Sequence, residues 1–182
     1  MRLFCGLSLP YQVRRNIELM LEHLRPQADI GWSPSANLHV TTKFIGEWPA
    51  EKLPQLVDQL KEIPKVGEIP IEIRGLGWFP NPQQPRVFFA GVSAPPELER
   101  LHTTVDQALA SIGVKGETKP YNAHLTLARI KDKKDLAALR QAVAALPSAD
   151  FGKFTASKHL LFRSRLKPTG SEYSVISEFP LA

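Results

Sequence analysis

Slid against itself by 85 residues with no gap, the chain matches Phe4 to Phe89, Gly6 to Gly91, Ser8 to Ser93, Pro10 to Pro95, Leu24 to Leu109, His39 to His124, Thr41 to Thr126 and Ile45 to Ile130. An apolar strand, a helix opened by proline and a second strand recur in the same order in each copy. Two copies are too few for a solenoid, and the pattern points to one domain over 1–182, built from half-domains related by an approximate two-fold axis. The expected halves are 1–80 and 86–182, joined at Pro80-Asn81-Pro82-Gln83-Gln84-Pro85, the strongest breaker in the chain. A length of 182 residues suits one domain or two tightly joined lobes, and is short for two independent ones.

In the first copy the patterning predicts a strand at 2–8, a helix at 11–26, a strand at 38–46, a helix at 50–63 and a strand at 69–79. Val13, Ile17, Met20, Leu21 and Leu24 give the first helix its apolar stripe. The second copy predicts strands at 86–93, 122–130 and 157–165 and helices at 95–112 and 133–146. A last strand over 172–179 forms a hairpin through the Lys167-Pro168-Thr169-Gly170 turn. The class is α+β, a bilobal duplicated fold whose lobes each carry a mostly antiparallel sheet backed by helices, with the site in the cleft between them.

Lys and Arg total 23 against 18 Asp and Glu, a formal charge of +5 that favours acidic partners. Basic residues gather late, at Arg129, Lys131, Lys133, Lys134, Lys153, Lys158, Arg163, Arg165 and Lys167, where a nucleic-acid-facing rim and a solvated face are equally open readings. No apolar run approaches 18 residues, so no membrane partner is expected. The opening Met1-Arg2-Leu3-Phe4-Cys5 reads as a buried strand and not as a signal peptide. The single cysteine, Cys5, suits a reducing cytoplasm and argues against a cysteine-based zinc site.

His39 with Thr41, and His124 with Thr126, each sit two apart on a strand, where residues i and i+2 share a face. His102-Thr103-Thr104 has the same spacing but lies in a helix, where i and i+2 diverge, so His102 is set aside as a surface or helix-face residue. Two imidazoles approaching one phosphate from opposite sides suit in-line displacement, one neutral as base and one protonated as acid near neutral pH. Thr41 and Thr126 supply hydroxyls for the non-bridging oxygens. The pair lacks the further ligands that zinc requires, so no metal and no cofactor is expected.

Around this quartet, Lys43 shares the His39 face by strict alternation and is a candidate phosphate contact. Arg129 falls on the opposite face from His124 by the same rule, unless the strand bulges or ends. Phe44, its counterpart under the 85-residue shift, either stacks a base or fills the core. Trp32 and Tyr121 precede the two histidine strands as candidate cleft walls.

Arg-Leu-Phe at 2–4, Leu-His-Val-Thr-Thr-Lys-Phe-Ile-Gly-Glu at 38–47 and His-Leu-Thr-Leu-Ala-Arg at 124–129 resemble the 2H phosphoesterases. The likeness is to their bacterial and archaeal RNA 2′,3′-cyclic phosphodiesterases, also called 2′-5′ RNA ligases, and it spans nearly the whole chain. It implies hydrolysis of RNA 2′,3′-cyclic phosphate ends to 2′-phosphomonoesters, with a reversible 2′-5′ ligation and no nucleotide cofactor. On matching positions His39 is then the proton donor and His124 the acceptor, with Thr41, Thr126 and Arg129 on the phosphate. Ala123 stands where the family often has Pro, and Thr42 where Leu is commoner, departures that touch substrate preference more than activity. The competing readings are a non-catalytic RNA or nucleotide-binding module using the same cleft, and a cyclic phosphodiesterase of small nucleotides. The expected partner is RNA ending in a cyclic phosphate, or a related nucleotide, with no obligate protein partner.

Overall fold

The computed structural model describes residues 1–182. In chain order the elements are β1 (Arg2–Ser8), α1 (Tyr11–Leu24), β2 (Gly31–Trp32), β3 (His39–Glu47), α2 (Leu53–Lys61), β4 (Ile69–Phe79), β5 (Val87–Ser93), α3 (Pro96–Ala110), β6 (His124–Arg129), α4 (Ala137–Ala144), β7 (Asp150–Ala156), β8 (Lys158–Lys167) and β9 (Gly170–Pro180). Val13, Ile17, Met20, Leu21 and Leu24 form the buried stripe of α1 as their spacing predicts. Pro96 opens α3, where its missing N–H costs nothing, and Glu97 and Glu99 in the first turn complement the helix dipole.

All pairings are antiparallel, in two sheets. Sheet A runs β3-β1-β8-β9 and sheet B runs β2-β6-β5-β4-β7. The sheets do not divide at the proline-rich join. β4, which ends the first half, pairs with β5 of the second, and β8, near the end of the second half, returns to β1 of the first. The short loop after Phe79 makes β5 the nearest partner for β4, and the duplicated geometry requires the reciprocal exchange. Register makes the equivalence explicit. Phe4 lies opposite Phe162 and Phe89 opposite Gly77, and both correspondences, Phe4 with Phe89 and Gly77 with Phe162, keep the 85-residue offset.

The helices exchange too. α1 packs on β7 and α4 behind sheet B, while α3 and α2 pack on β3 and β9 behind sheet A. Two strands escaped the patterning. β2 has two residues, too few to show a period, and β7 is interrupted at Gly152, whose φ of 117° accompanies a break in register against β4. No helix is long and apolar enough to cross a membrane.

Leu3, Cys5, Leu7 and Leu161 point from sheet A into a core shared by both sheets and all four helices. Burial pushes the Cys5 thiol up to about 12, against the opposing charge of Lys43, so it is held as an inert core thiol. His159 on β8 lies in this core, with Nε2 2.7 Å from Thr42 Oγ1, and burial pushes its imidazole down to about 4. The unfolded chain therefore binds a proton that the folded one refuses between about pH 4 and 6.5. Stability is whole above that window and lost as the pH falls through it, by on the order of 3 kcal/mol for this group. Urea unfolding at about pH 7 and about pH 4.5 is expected to show a larger acid loss in the wild type than in His159→Gln. Equal losses would place the acid sensitivity elsewhere.

Candidate active site

Alternation along β3 and β6 fails at an equivalent point in each, and these failures shape the site; β3 breaks once more beyond it, at Ile45. In β3, Gly6 lies opposite Thr41 and Cys5 opposite Lys43, which leaves Thr42 as the extra residue of a bulge. In β6, Phe89 lies opposite Thr126 and Phe88 opposite Ala128, which leaves Leu127 unpaired. Thr42 and Leu127 are equivalent under the 85-residue shift. Each bulge turns two consecutive side chains to the core, so the next residue returns to the histidine face. That residue is Phe44 in β3 and Arg129 in β6.

Two expectations change accordingly. Arg129 joins His124 and Thr126 despite the parity objection. Lys43, a candidate phosphate contact or else a solvated strand-end lysine by its sequence, is instead buried at 2% exposure, with Nζ 2.6 Å from Asp106 Oδ1 and donating to the Lys115 carbonyl at 2.8 Å. Burial raises the Asp106 carboxyl, but hydrogen bonds from Lys43 and the Glu117 amide, together with the Lys43 charge, hold it below the ordinary range.

The two imidazoles are held alike. His39 Nδ1 donates to the Asn37 carbonyl at 2.7 Å and His124 Nδ1 to the Asn122 carbonyl at 2.8 Å. A carbonyl can only accept, so in each neutral ring the lone pair lies on Nε2. His39 Nε2 is 2.7 Å from Thr41 Oγ1, which brings one imidazole tip and one hydroxyl to a common point. Asn37 and Asn122 also keep the 85-residue offset, a signal that would have found them.

Phe4 lies under His39 at 4.6 Å between centroids, and its equivalent Phe89 lies 5.8 Å from His124. Glycines make room for both arrangements. A Cβ on Gly6 would lie 2.7 Å from the Val40 carbonyl oxygen and 3.3 Å from His39 Cδ2, and one on Gly77 would run into the Phe89 ring. Phe162 and Tyr173 further enclose His39, whereas Phe79 completes the contacts of His124.

Between the sheets β3 touches β6, and the charges of Arg129 and His124 reach His39. Burial pulls the His39 imidazole below its ordinary value, the hydrogen bond to Asn37 opposes this, and those two charges lower it further. The structure thus places His39, Thr41 and Phe44 on one face of β3 and His124, Thr126 and Arg129 on one face of β6, where the two strands approach.

The residues behind the first bulge were read differently from sequence. His102 is buried on α3, donates from Nδ1 to the Thr42 carbonyl at 2.6 Å and stacks on Tyr121 with centroids 4.3 Å apart. The Tyr121 hydroxyl donates to the Thr41 carbonyl at 2.7 Å, and burial pushes its phenol up, so it remains a donor. Its hydroxyl is thus committed to β3 backbone. Tyr121 and His102 satisfy two carbonyls at the bulge, while His159 and Asp106 bond the Thr42 hydroxyl and the Lys43 ammonium that the bulge turns inward. The second bulge is held by backbone instead, Leu127 accepting from the Ser33 amide at 2.8 Å while β2 pairs with Ala128 and Arg129. Trp32 belongs to that support and is no cleft wall, its Nε1 donating to the Ala28 carbonyl and its ring set edge-on to buried Phe88.

The family model of the 2′-5′ RNA ligase superfamily matches residues 13–162. A Thermus thermophilus relative named RNA 2′,3′-cyclic phosphodiesterase is 35% identical over 192 residues, covering 100% of this chain and 90% of its own. An Archaeoglobus fulgidus relative of the same name is 32% identical over 179 residues, covering 98% and 99%. The crystal structure of a Thermus thermophilus protein superposes with a TM-score of 0.81 at 32% identity over 100% of this chain and 98% of that one. Escherichia coli LigT, solved with 3′-AMP, shares the fold at a TM-score of 0.79 and 23% identity, covering 99% and 97%.

Proposed function

The chain belongs to the 2′-5′ RNA ligase superfamily, and from that premise we propose that it opens RNA 2′,3′-cyclic phosphate ends to 2′-phosphomonoesters by acid and base catalysis from His39 and His124. One observation carries this reading most. Equivalent histidines on equivalent strands each have Nδ1 tied to a carbonyl two residues back, which leaves Nε2 as the reactive nitrogen of both rings, that of His39 resting against the Thr41 hydroxyl assigned to the same phosphate.

Water attacks phosphorus in line with the 3′ oxygen, and His124 Nε2 takes its proton as the new P–O bond forms. The bond to the 3′ oxygen breaks, and His39 Nε2–H protonates the departing alkoxide, leaving the phosphate on the 2′ oxygen. Arg129 and the hydroxyls of Thr41 and Thr126 hold the non-bridging oxygens, whose charge grows in the transition state. With a 5′-hydroxyl in place of water, the same steps produce a 2′-5′ linkage, and their reversal cleaves it.

The lowered titration of His39 in the free site bears on its role as donor. Burial is the main cause and the nearby charges add to it; a phosphate anion beside Arg129 offsets the charge contribution and favours protonation, and an imidazolium destabilised by its surroundings is the stronger proton donor once charged. The test is product analysis on an RNA ending in a 2′,3′-cyclic phosphate, with EDTA present. Turnover to a 2′-phosphate is expected. A 3′-phosphate would contradict the assigned leaving group, loss on chelation would bring in a metal, and binding without turnover would favour a non-catalytic RNA-binding module.

A further inference from the structure

Phe44, Leu166 and Val175 are among five large apolar side chains that stand substantially exposed, and the register places these three on one face of sheet A. Phe44 is opposite Phe4, Phe4 opposite Phe162, and Phe162 opposite Val175. Arg2 is opposite Ser164, and Leu166 lies two residues further along β8 on the same face. This is the His39 face. The helices back the other one, so Phe4, Leu160, Phe162 and Tyr173 form a small cluster separate from the main core.

Beyond the Arg2–Ser164 pair no third strand remains. Residues 165–172 of β8 and β9 pair only with each other, as an arm that carries Leu166 at 89% exposure. Sheet B has no counterpart, because β7 stops opposite Arg74. The arm is joined to the site through Asn37, whose side-chain amide donates to the Ser171 carbonyl at 2.7 Å while its own carbonyl holds His39. Arg2 sets its guanidinium 5.4 Å from the Phe44 ring centroid, between the site and the arm. Arg165 and Lys167 alternate to the arm's other face.

We propose that this strip, from Phe44 and Arg2 out to Leu166, is the track for the nucleotides preceding the cyclic phosphate, so that the enzyme acts on oligonucleotide ends in preference to mononucleotides. The proposal rests on the hydrolytic reading above. A cyclic phosphate closes the 3′ end of its strand, so the rest of the RNA can leave the cleft in one chain direction only. The proposed phosphate contacts lie in the duplicated parts of the two lobes, and the unduplicated arm lies beside them on the His39 face. Exposed apolar groups offer packing surface to successive bases, and arginine beside an aromatic ring both stacks and neutralises backbone charge. On the strip's own face the one cation is Arg2, set over Phe44 next to the site, while Lys167 on the other face is already paired with Glu172 at 3.0 Å, so the favoured occupant is a strand continuous with the phosphate in the cleft.

The test compares kcat/KM for a nucleoside 2′,3′-cyclic phosphate and for a hexanucleotide ending in the same group. The wild type is expected to favour the hexanucleotide by about tenfold. Leu166→Asp is expected to lose that advantage while keeping its rate on the mononucleotide, and Leu19→Asp, on α1, to keep both. A hexanucleotide with abasic upstream residues, given to the unaltered protein, is expected to behave as the mononucleotide does. Equal wild-type rates on both intact substrates, an advantage retained by Leu166→Asp, or one retained by the abasic strand would overturn the track. So would concentration-dependent dimerisation abolished by Leu166→Asp in a protein with no hexanucleotide preference. Failure of the wild type on both substrates would instead sink the hydrolytic reading itself.

Discussion

His39→Ala and His124→Ala are each expected to lower kcat for cyclic-phosphate hydrolysis by about 10²–10⁴-fold, with a much smaller change in KM. In the proposed reaction the imidazoles act on protons that move in the transition state, whereas Arg129 and the threonine hydroxyls are assigned to the phosphate in both states. Losses in the double variant are expected to fall short of the sum in free energy, since an acid has little to assist once the attacking water is not activated. Full activity in either single variant would remove that histidine from the chemistry. The division of labour has its own readout. A substrate with sulfur in place of the bridging 3′ oxygen departs as a thiolate that needs no proton, so it should rescue His39→Ala and leave His124→Ala inactive. Rescue of His124→Ala instead would exchange the two roles. The pH profile adds an independent check, because kcat/KM should fall as the pH rises through the titration of the free-site donor. For His39 that fall belongs below the ordinary imidazole value, since burial and the nearby charges depress it.

How far the chain could be read without coordinates depended on whether a feature was local or paired. The 85-residue offset correctly matched β1 with β5 and β3 with β6, because duplication preserves which residue lies where along a strand. It could not show that β4 and β8 exchange lobes, since strand pairing is decided by loop length and contacts distant in sequence. Alternation correctly placed His39 with Thr41 and His124 with Thr126, as nothing intervenes between them. It failed one step later, at Thr42 and Leu127, because a bulge is a property of two strands together and neither residue announces it. His102 was set aside for lying on a helix, which was correct about the helix. Its work on the Thr42 carbonyl arises from helix packing across the lobes, which no spacing within α3 records.

Arg129 is where those two kinds of information meet, and its removal is expected to have the second large effect. The bulge at Leu127 puts Ala128 into the core, at 0% exposure, and returns the arginine to the face of His124. There the guanidinium charge reaches His39, and in the proposed reaction it also holds the phosphate. Arg129→Ala should lower kcat/KM by about 10²–10³-fold, comparable with losing one oxyanion donor. Arg129→Lys should recover only part of this, because an ammonium keeps the charge but not the two-pronged geometry on phosphoryl oxygens. Activity alone would not separate a phosphate contact from a residue that merely shapes β6. Titration of His39 in the substrate-free protein, followed by NMR, does so, since the depressing charge disappears in Arg129→Ala and persists in Arg129→Lys. An upward shift of the His39 pKa is therefore expected in the first variant and not in the second. Unchanged kcat/KM in Arg129→Ala would take the residue off the phosphate. An unchanged His39 titration would mean that the bulge returns Arg129 to the right face but does not bring its charge to the acid.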